Sequence, residues 1–444
     1  MIRNTNTLTM RLLLNYSPCI FLLFLFIACK QKPVTNPDDY SVYLQAGKEK
    51  AQLPFIDNEM AFWNNRLNKT PDDLVALSKM AGLLTSRFSY SGDIHEIHRA
   101  DSLYKIVHAV RRTISSGTYR SLAANCITQH TFQQAQLYID SALELGDDKY
   151  LTVLMEFDVS LELGNYARAR KALNSLTNKN GFDYLIREAK YKDHVEGNLE
   201  AAITLMEKAY EEIKYNPDGP LYLWTKSNLG DMYGHANRYE DSYQCYLDVL
   251  EKDPEYYHAL KGIAWLAFSH DNDVINAKKI LYYLQQQHPV PDYDLLLAEI
   301  AGYEQDAMVK LQHLDRFMAT VQQPQYGDMY NKYLFTLQTD EFSNAFKALS
   351  IAEKEIQNRP TPEAFSWLAR AYCETGEVDK AMYTARLYVE NKCHEPEALY
   401  NLGMIYKAAG YKNNARKYLK QAKESAYELG PLTTAQIREV LTNL

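Results

Sequence analysis

Few residue patterns in this 444-residue sequence could do chemistry, and each can be judged on its spacing. The stretch His95-Glu96-Ile97-His98 puts two imidazoles three positions apart. A zinc peptidase helix needs HExxH, whose histidines lie one full turn apart with the Glu beside the metal-bound water. "HEIH" is one residue short, so it reads as a solvated helix end and no metal site is expected. None of the six cysteines stands in a CxxC pair. No GxSxG elbow or phosphate-binding loop occurs. Asp and Glu are plentiful, but they fall on segments of helical periodicity, where carboxylates usually form solvated faces. We therefore expect no catalytic residue, no cofactor and no enzyme. A net charge of −8 without a basic tract argues against nucleic acid as a partner.

One cysteine does carry a chemical expectation. Arg3 and Arg11 precede the apolar run Cys19–Cys29, "CIFLLFLFIAC". A bilayer span takes about 20 residues, so this run is too short to cross, but it suits the core of a secretory signal. It ends in "FIAC", which resembles a bacterial lipobox: small Ala28, then Cys29, with Phe26 where the pattern usually has Leu. The resemblance implies a signal peptide over 1–28. Cys29 becomes an acylated (palmitate-bearing) N-terminus held in a membrane of the cell envelope, facing the periplasm or the outside. Residues 29–55 follow as the lipidated N-terminus and a polar, proline-containing tether. Cys126, Cys245, Cys373 and Cys393 then remain. Cys373 and Cys393 should lie at opposite ends of one helical hairpin, so no bridge between them is expected.

The rest of the chain is governed by a recurring phrase. "GNYARA" (Gly164–Ala169) returns as "GNLEAA" (Gly197–Ala202), "GEVDKA" (Gly376–Ala381) and "GYKNNA" (Gly410–Ala415). We place its last residue at Ala135, Ala169, Ala202, Ser242, Ala277, Ala307, Ala345, Ala381 and Ala415, with Ala100 in a tenth unit. The spacings are 34, 33, 40, 35, 30, 38, 36 and 34. A period near 34 is that of stacked helical hairpins. Within Leu223–Tyr256, Leu229, Gly230 and Tyr233 share one face of a first helix, and Ser242, Tyr246 and Val249 share one face of a second. Pro254 stops the second helix. The phrase turns the chain between the two. This predicts an all-α solenoid over 56–429 with about nine to ten hairpins, irregular near 291–340. Residues 430–444 form a helix capping the last hairpin.

These positions resemble the tetratricopeptide repeat (TPR), with small, aromatic, Ala and Pro residues at its signature places. The resemblance implies a right-handed superhelix whose first helices line a concave ligand groove. Carried over, the groove positions are Trp224, Asp231, Lys261, Trp265, Phe268, Arg370, Tyr400 and Lys407. The Lys and Asn pair with which some TPR proteins clamp a peptide carboxylate is missing, since Trp265 follows Lys261. The implied function is a membrane-anchored, non-catalytic, extracytoplasmic scaffold that binds envelope proteins or their peptide segments in the groove. Two alternatives are a SusD-like glycan- or nutrient-binding lipoprotein partnering an outer-membrane transporter, and an outer-membrane assembly lipoprotein.

Overall fold

The computed structural model describes residues 32–45, 52–110 and 115–444. The expected signal peptide, the anchor Cys29 and part of the tether lie outside the described residues. Pro33 to Leu444 forms one compact unit.

Two helices lead in, α1 (Pro37–Tyr40) and α2 (Gln52–Lys69). Ten hairpins follow among the described residues: α3 (Leu74–Ser91) with α4 (Ile94–Val110), α5 (Ser116–Thr128) with α6 (Phe132–Leu145), α7 (Lys149–Glu162) with α8 (Tyr166–Ser175), α9 (Phe182–His194) with α10 (Leu199–Ile213) and α11 (Pro220–His235) with α12 (Tyr239–Lys252). The second five are α13 (Tyr257–Trp265) with α14 (Val274–Gln287), α15 (Asp292–Tyr303) with α16 (Ala307–Val321), α17 (Asn331–Thr336) with α18 (Ala345–Asn358), α19 (Pro362–Glu374) with α20 (Val378–Thr384) and α21 (Pro396–Ala408) with α22 (Lys412–Glu424). The chain ends in α23 (Ala426–Asn443). The described residues contain no strand, and the fold is an all-α helical-repeat solenoid.

The repeated phrase works as a left-handed cap followed by an N-cap. Its first residue takes positive φ in nine turns: His130, Gly164, Gly197, Asn237, Asn272, Gln305, Ser343, Gly376 and Gly410. The next residue caps the second helix, and the side chains of Asn165, Asn198, Asp273, Asp306 and Asn344 accept a hydrogen bond from the amide three residues on. This geometry corrects the register of two units. Measured from the turns at Gln305 and Ser343, the packed small position falls on Lys310 and Ala348, not on Ala307 and Ala345. Ala348 is fully buried, whereas Lys310 lies over Gly302, whose missing side chain leaves it room. Within 291–340 the irregular features are the link into α17, with its tight turn at Pro324–Tyr326, and the wide helical turn Leu337–Glu341 after it.

Odd-numbered helices pack on one another, as in α5 on α7, α11 on α13 and α19 on α21, which sets them on the concave side. Small residues allow the closest crossings. A Cβ on Gly403 would stand 2.5 Å from Leu419, and one on Gly262 would stand 2.3 Å from the Tyr246 ring.

The superhelix is wound tightly enough that one turn rests on the previous one. His98 Nε2 meets the Gln325 carbonyl, the Phe132 amide donates to Asn358, Arg359 pairs with Glu162, and His194 pairs with Glu395. These partners are 227, 226, 197 and 201 residues apart, or roughly six to seven repeat periods. The opening glycine of "GNYARA" has a second duty here. Gly164 has φ +68°, and a Cβ on it would come 2.9 Å from the Pro360 carbonyl of the next turn.

Part of the expected tether is docked rather than free. Val34 and Thr35 donate their amides to the Asp271 carboxylate, and the Thr35 hydroxyl adds a third bond at 2.6 Å. Tyr243 Oη lies 3.1 Å from the Asn36 amide, and Tyr40 is 1% exposed within the core of α12 to α15. The buried Tyr40 ring and the three bonds to the Asp271 carboxylate are what oppose the entropy cost of holding this segment.

Candidate functional site

The concave wall carries charged side chains that approach one another from many helices. Lys190 on α9 reaches Glu162 on α7 at 3.0 Å, and His258 on α13 reaches Asp231 on α11 at 2.8 Å. Lys261 on α13 stands 4.0 Å from Asp292 on α15. Lys332 on α17 pairs with Glu363 on α19 at 3.1 Å and with Glu397 on α21 at 2.7 Å. His235 on α11 faces Glu428 on α23 at 3.7 Å. Most of these groups are half-buried: water reaches them, but their surroundings are protein.

That enclosure sets their protonation. Burial pushes the Glu299 carboxyl up to about 8, helped by the neighbouring Glu397 and opposed by Lys310. Burial also works against Glu162, yet Lys190 and Arg359 hold its carboxyl down at about 2. Asp231 is lowered despite burial, through His258 and the Tyr246 hydroxyl. Burial alone would lower His194, but the bond to Glu395 outweighs it and raises the imidazole.

Glu299 yields a pH prediction. A carboxyl raised from the usual 4.5 to about 8 keeps its proton in the folded state over a range where the unfolded chain has lost it. Its contribution to stability is therefore present below that window and is lost as pH rises through it. We expect Glu299→Gln to match wild type in melting temperature near pH 4.5 and to melt a few degrees higher at pH 8.5. Thermal denaturation at both pH values checks this, and parallel curves would contradict it.

The residues expected in the groove separate into two groups. Asp231 and Lys261 belong to the charged wall just described. Trp224 is 39% exposed and stands edge-on to Phe182, and Lys407 is exposed near the end of α21. Phe268, Arg370 and Tyr400 are buried, and Trp265 is partly buried. Phe268 is 1% exposed in the core, because the wide turn Leu266–His270 after α13 swings it inward. Arg370 is 5% exposed, held by Glu374 and Asp340 and lying over Tyr400. Tyr400 packs under α23 with Leu429 and Ile437. Trp265 is occupied by the chain itself, since its indole N–H donates to the Tyr427 carbonyl at 3.1 Å, and Ser269 donates to the same oxygen at 2.8 Å.

The C-terminal segment thus does more than cap the last hairpin. Its first turn crosses the concave side, and α23 touches α11, α15 and α21 as well as α22. The helix is broken at Gly430, where φ is 77° and ψ 167°. The sequence reading of 430–444 as a capping helix contains no sign of this crossing. Of the charged wall, Asp231 and Lys261 were among the residues expected from the sequence; Lys190, Asp292, Lys332, Glu363 and Glu397 were not. Lys332 lies in the stretch 291–340 that was expected to be irregular. Among the described residues no cluster of His, Cys, Asp and Glu could hold a metal ion. The four described cysteines are free thiols, and burial pushes that of Cys245 up to about 12.

The fold, an all-α solenoid of helical hairpins with a charged inner wall, is the point at which known proteins bear on the chain. The sequence model of the tetratricopeptide repeat matches residues 396–428, so the hairpin of α21 and α22 is a repeat of that kind. No curated protein sequence matches the chain. Solved structures resemble it loosely. The type IV pilus biogenesis factor PilW shares 16% identity, with a TM-score of 0.38, covering 46% of this chain and 92% of its own. A tetratricopeptide repeat protein from Parabacteroides merdae shares 18%, with a TM-score of 0.33, covering 59% and 97%. The human IFIT1 dimer with PPP-AAAA shares 12%, with a TM-score of 0.43, covering 87% and 93%.

Proposed function

We propose that this chain is a non-catalytic protein-interaction scaffold, lipid-anchored through Cys29 to a membrane of the bacterial cell envelope on its extracytoplasmic side. Its ligand is a polar, charge-bearing segment of an envelope protein held against the concave wall. The observation that carries this reading is the ring of half-exposed charges contributed by successive odd-numbered helices. Lys190, Asp231, Lys261, Asp292, Lys332 and Glu397 face a common interior, whereas of the aromatic residues expected there Phe268 and Tyr400 are buried and Trp265 is bonded to Tyr427, which leaves Trp224 exposed. Charged pairs in such a concave setting select a partner by complementarity and exclude those of the wrong sign.

The test is crosslinked capture from native membranes. Wild type should retain a defined envelope protein, and a Lys261→Ala/Lys332→Ala variant should lose it by about tenfold or more. Unchanged capture by the variant would place the contact elsewhere. Cys29→Ser, fractionated in parallel, should leave the membrane pellet if the anchor is real.

A further inference from the structure

We propose that the edge formed by the starts of α14, α16 and α18 rests on the lipid bilayer, so that the anchored solenoid is held in one orientation. The proposal depends on the Cys29 anchor of the preceding reading and adds a second, independent contact. The observations are an apolar register and the place where the N-terminal segment is tied down.

The register comes from the caps. Asp273, Asp306 and Asn344 each cap their helix through a side chain, so the residues two positions on are equivalent in the three hairpins. Those residues are Ile275, Met308 and Phe346, exposed by 74%, 70% and 79%. In the other hairpins whose second helix follows the same turn, the equivalent residues are Gln133, Ala167, Glu200, Glu240, Asp379 and Asn413. Single exposed apolar residues are ordinary on a protein surface. Three aligned on consecutive hairpins, all large, with small or polar residues everywhere else in the register, form a stripe. Leu311 lies one turn beyond Met308 and Phe342 just before α18, both exposed, and they widen it. Glu304 and Glu341 beside the stripe are paired to Lys278 and Lys310, while Lys279 and Lys347 stand exposed next to it. The charges around the stripe are mixed, Lys279 and Lys347 being offset by the cap carboxylates Asp273 and Asp306, so it is the apolar edge itself that a bilayer interface would bury.

The second observation places the anchor. Val34 and Thr35 are bonded to Asp271, four residues before Ile275 on the same side of the hairpin. Cys29 is five residues before Val34. A fully extended chain spans at most about 3.3–3.6 Å per residue, so an acylated Cys29 can lie no more than roughly 18 Å from that attachment point. The short leash brings the leaflet to the edge that carries the stripe. A free tether of 29–55 would have imposed no such choice.

The experiment uses the full chain in the membranes of cells that export it, on a Cys373→Ser background. Single cysteines replace Met308 in the stripe and Glu200 at the equivalent position of a distant hairpin, and each is labelled with a membrane-impermeant maleimide. In intact membranes the cysteine at 308 should react about fivefold or more slowly than that at 200, and dissolving the bilayer in detergent should bring the two rates together. Equal rates in intact membranes would overturn the proposal. Protection of 308 that persists in detergent would also overturn it, because a protein and not lipid would then cover the stripe. Carbonate-washed fractions of the same cells separate this failure from that of the anchor. A wild-type chain released by the wash as readily as Cys29→Ser removes the anchor itself. A retained chain with equal labelling removes only the orientation.

Discussion

Gly262→Ala is expected to destabilise the solenoid by about 3 kcal/mol, an unusual cost for adding one methyl group. In an ordinary helix interior the same change stabilises by roughly 0.5–1 kcal/mol. The difference is Tyr246. This side chain is 2% exposed and lies between α11 and α13, with Gly230 on one side and Gly262 on the other. A Cβ on Gly262 would come 2.3 Å from its Cζ, and one on Gly230 would come 2.7 Å from its Cε1. The ring cannot swing aside cheaply, because its hydroxyl donates to Asp231 at 2.7 Å and that carboxylate also holds His258. The strain is therefore passed to the crossing of two helices that carry the charged wall. Gly117→Ala supplies the contrast. Gly117 lies in helix α5, with only ordinary 3.7 Å contacts around its missing Cβ, so the change there should be neutral or stabilising. Urea midpoints of the two variants beside wild type test the pair. Equal effects would show that the ring between the glycines yields, against the packing described here.

The second large effect concerns the C-terminal crossing. Gly430 combines φ 77° with ψ 167°, a backbone region essentially reserved for glycine. A Cβ there would also stand 2.3 Å from Glu299 Oε1 and 2.9 Å from the Trp265 ring. Backbone strain and steric conflict coincide, so Gly430→Ala should cost about 3 kcal/mol or more at this site. The solenoid need not unfold to escape it, because the segment from Tyr427 can leave the wall. Tyr427 is 6% exposed, held between Gly234, Trp265 and Tyr239, so it should resist chymotrypsin in wild type. In the variant, cleavage after Tyr427 should become rapid while the even-numbered helices stay intact. Wild-type resistance at that bond would mean that the crossing survives the substitution.

How far the sequence foretold this arrangement depends on whether a feature is local. Hairpins, turns and caps were legible because each rests on a few neighbouring residues, as in "GNYARA", where a left-handed glycine, a capping Asn and a packing Ala stand at set intervals. The two register errors came from the same source. At Gln305 and Ser343 the left-handed residue is not glycine, and nearby alanines at 307 and 345 imitated the packed position. What depends on residues far apart in sequence left no mark. Nothing near Trp265 indicates that Tyr427 will cover it, and nothing near Asp271 indicates that Thr35 will bind there. The concave wall was half legible. Asp231 and Lys261 follow from helix position, whereas the closeness of Lys332 to Glu397 follows from the curvature of the whole array.

The most direct measurement places a photocrosslinking amino acid at Tyr333 on the concave wall and, separately, at Leu137 on the exposed face of α6, in cells carrying the full chain. Tyr333 is 40% exposed and Leu137 59%, so both can reach a partner. Illumination should give a discrete protein adduct from position 333 and none from position 137. An adduct from 137 with none from 333 would contradict the concave wall as the working surface of this protein.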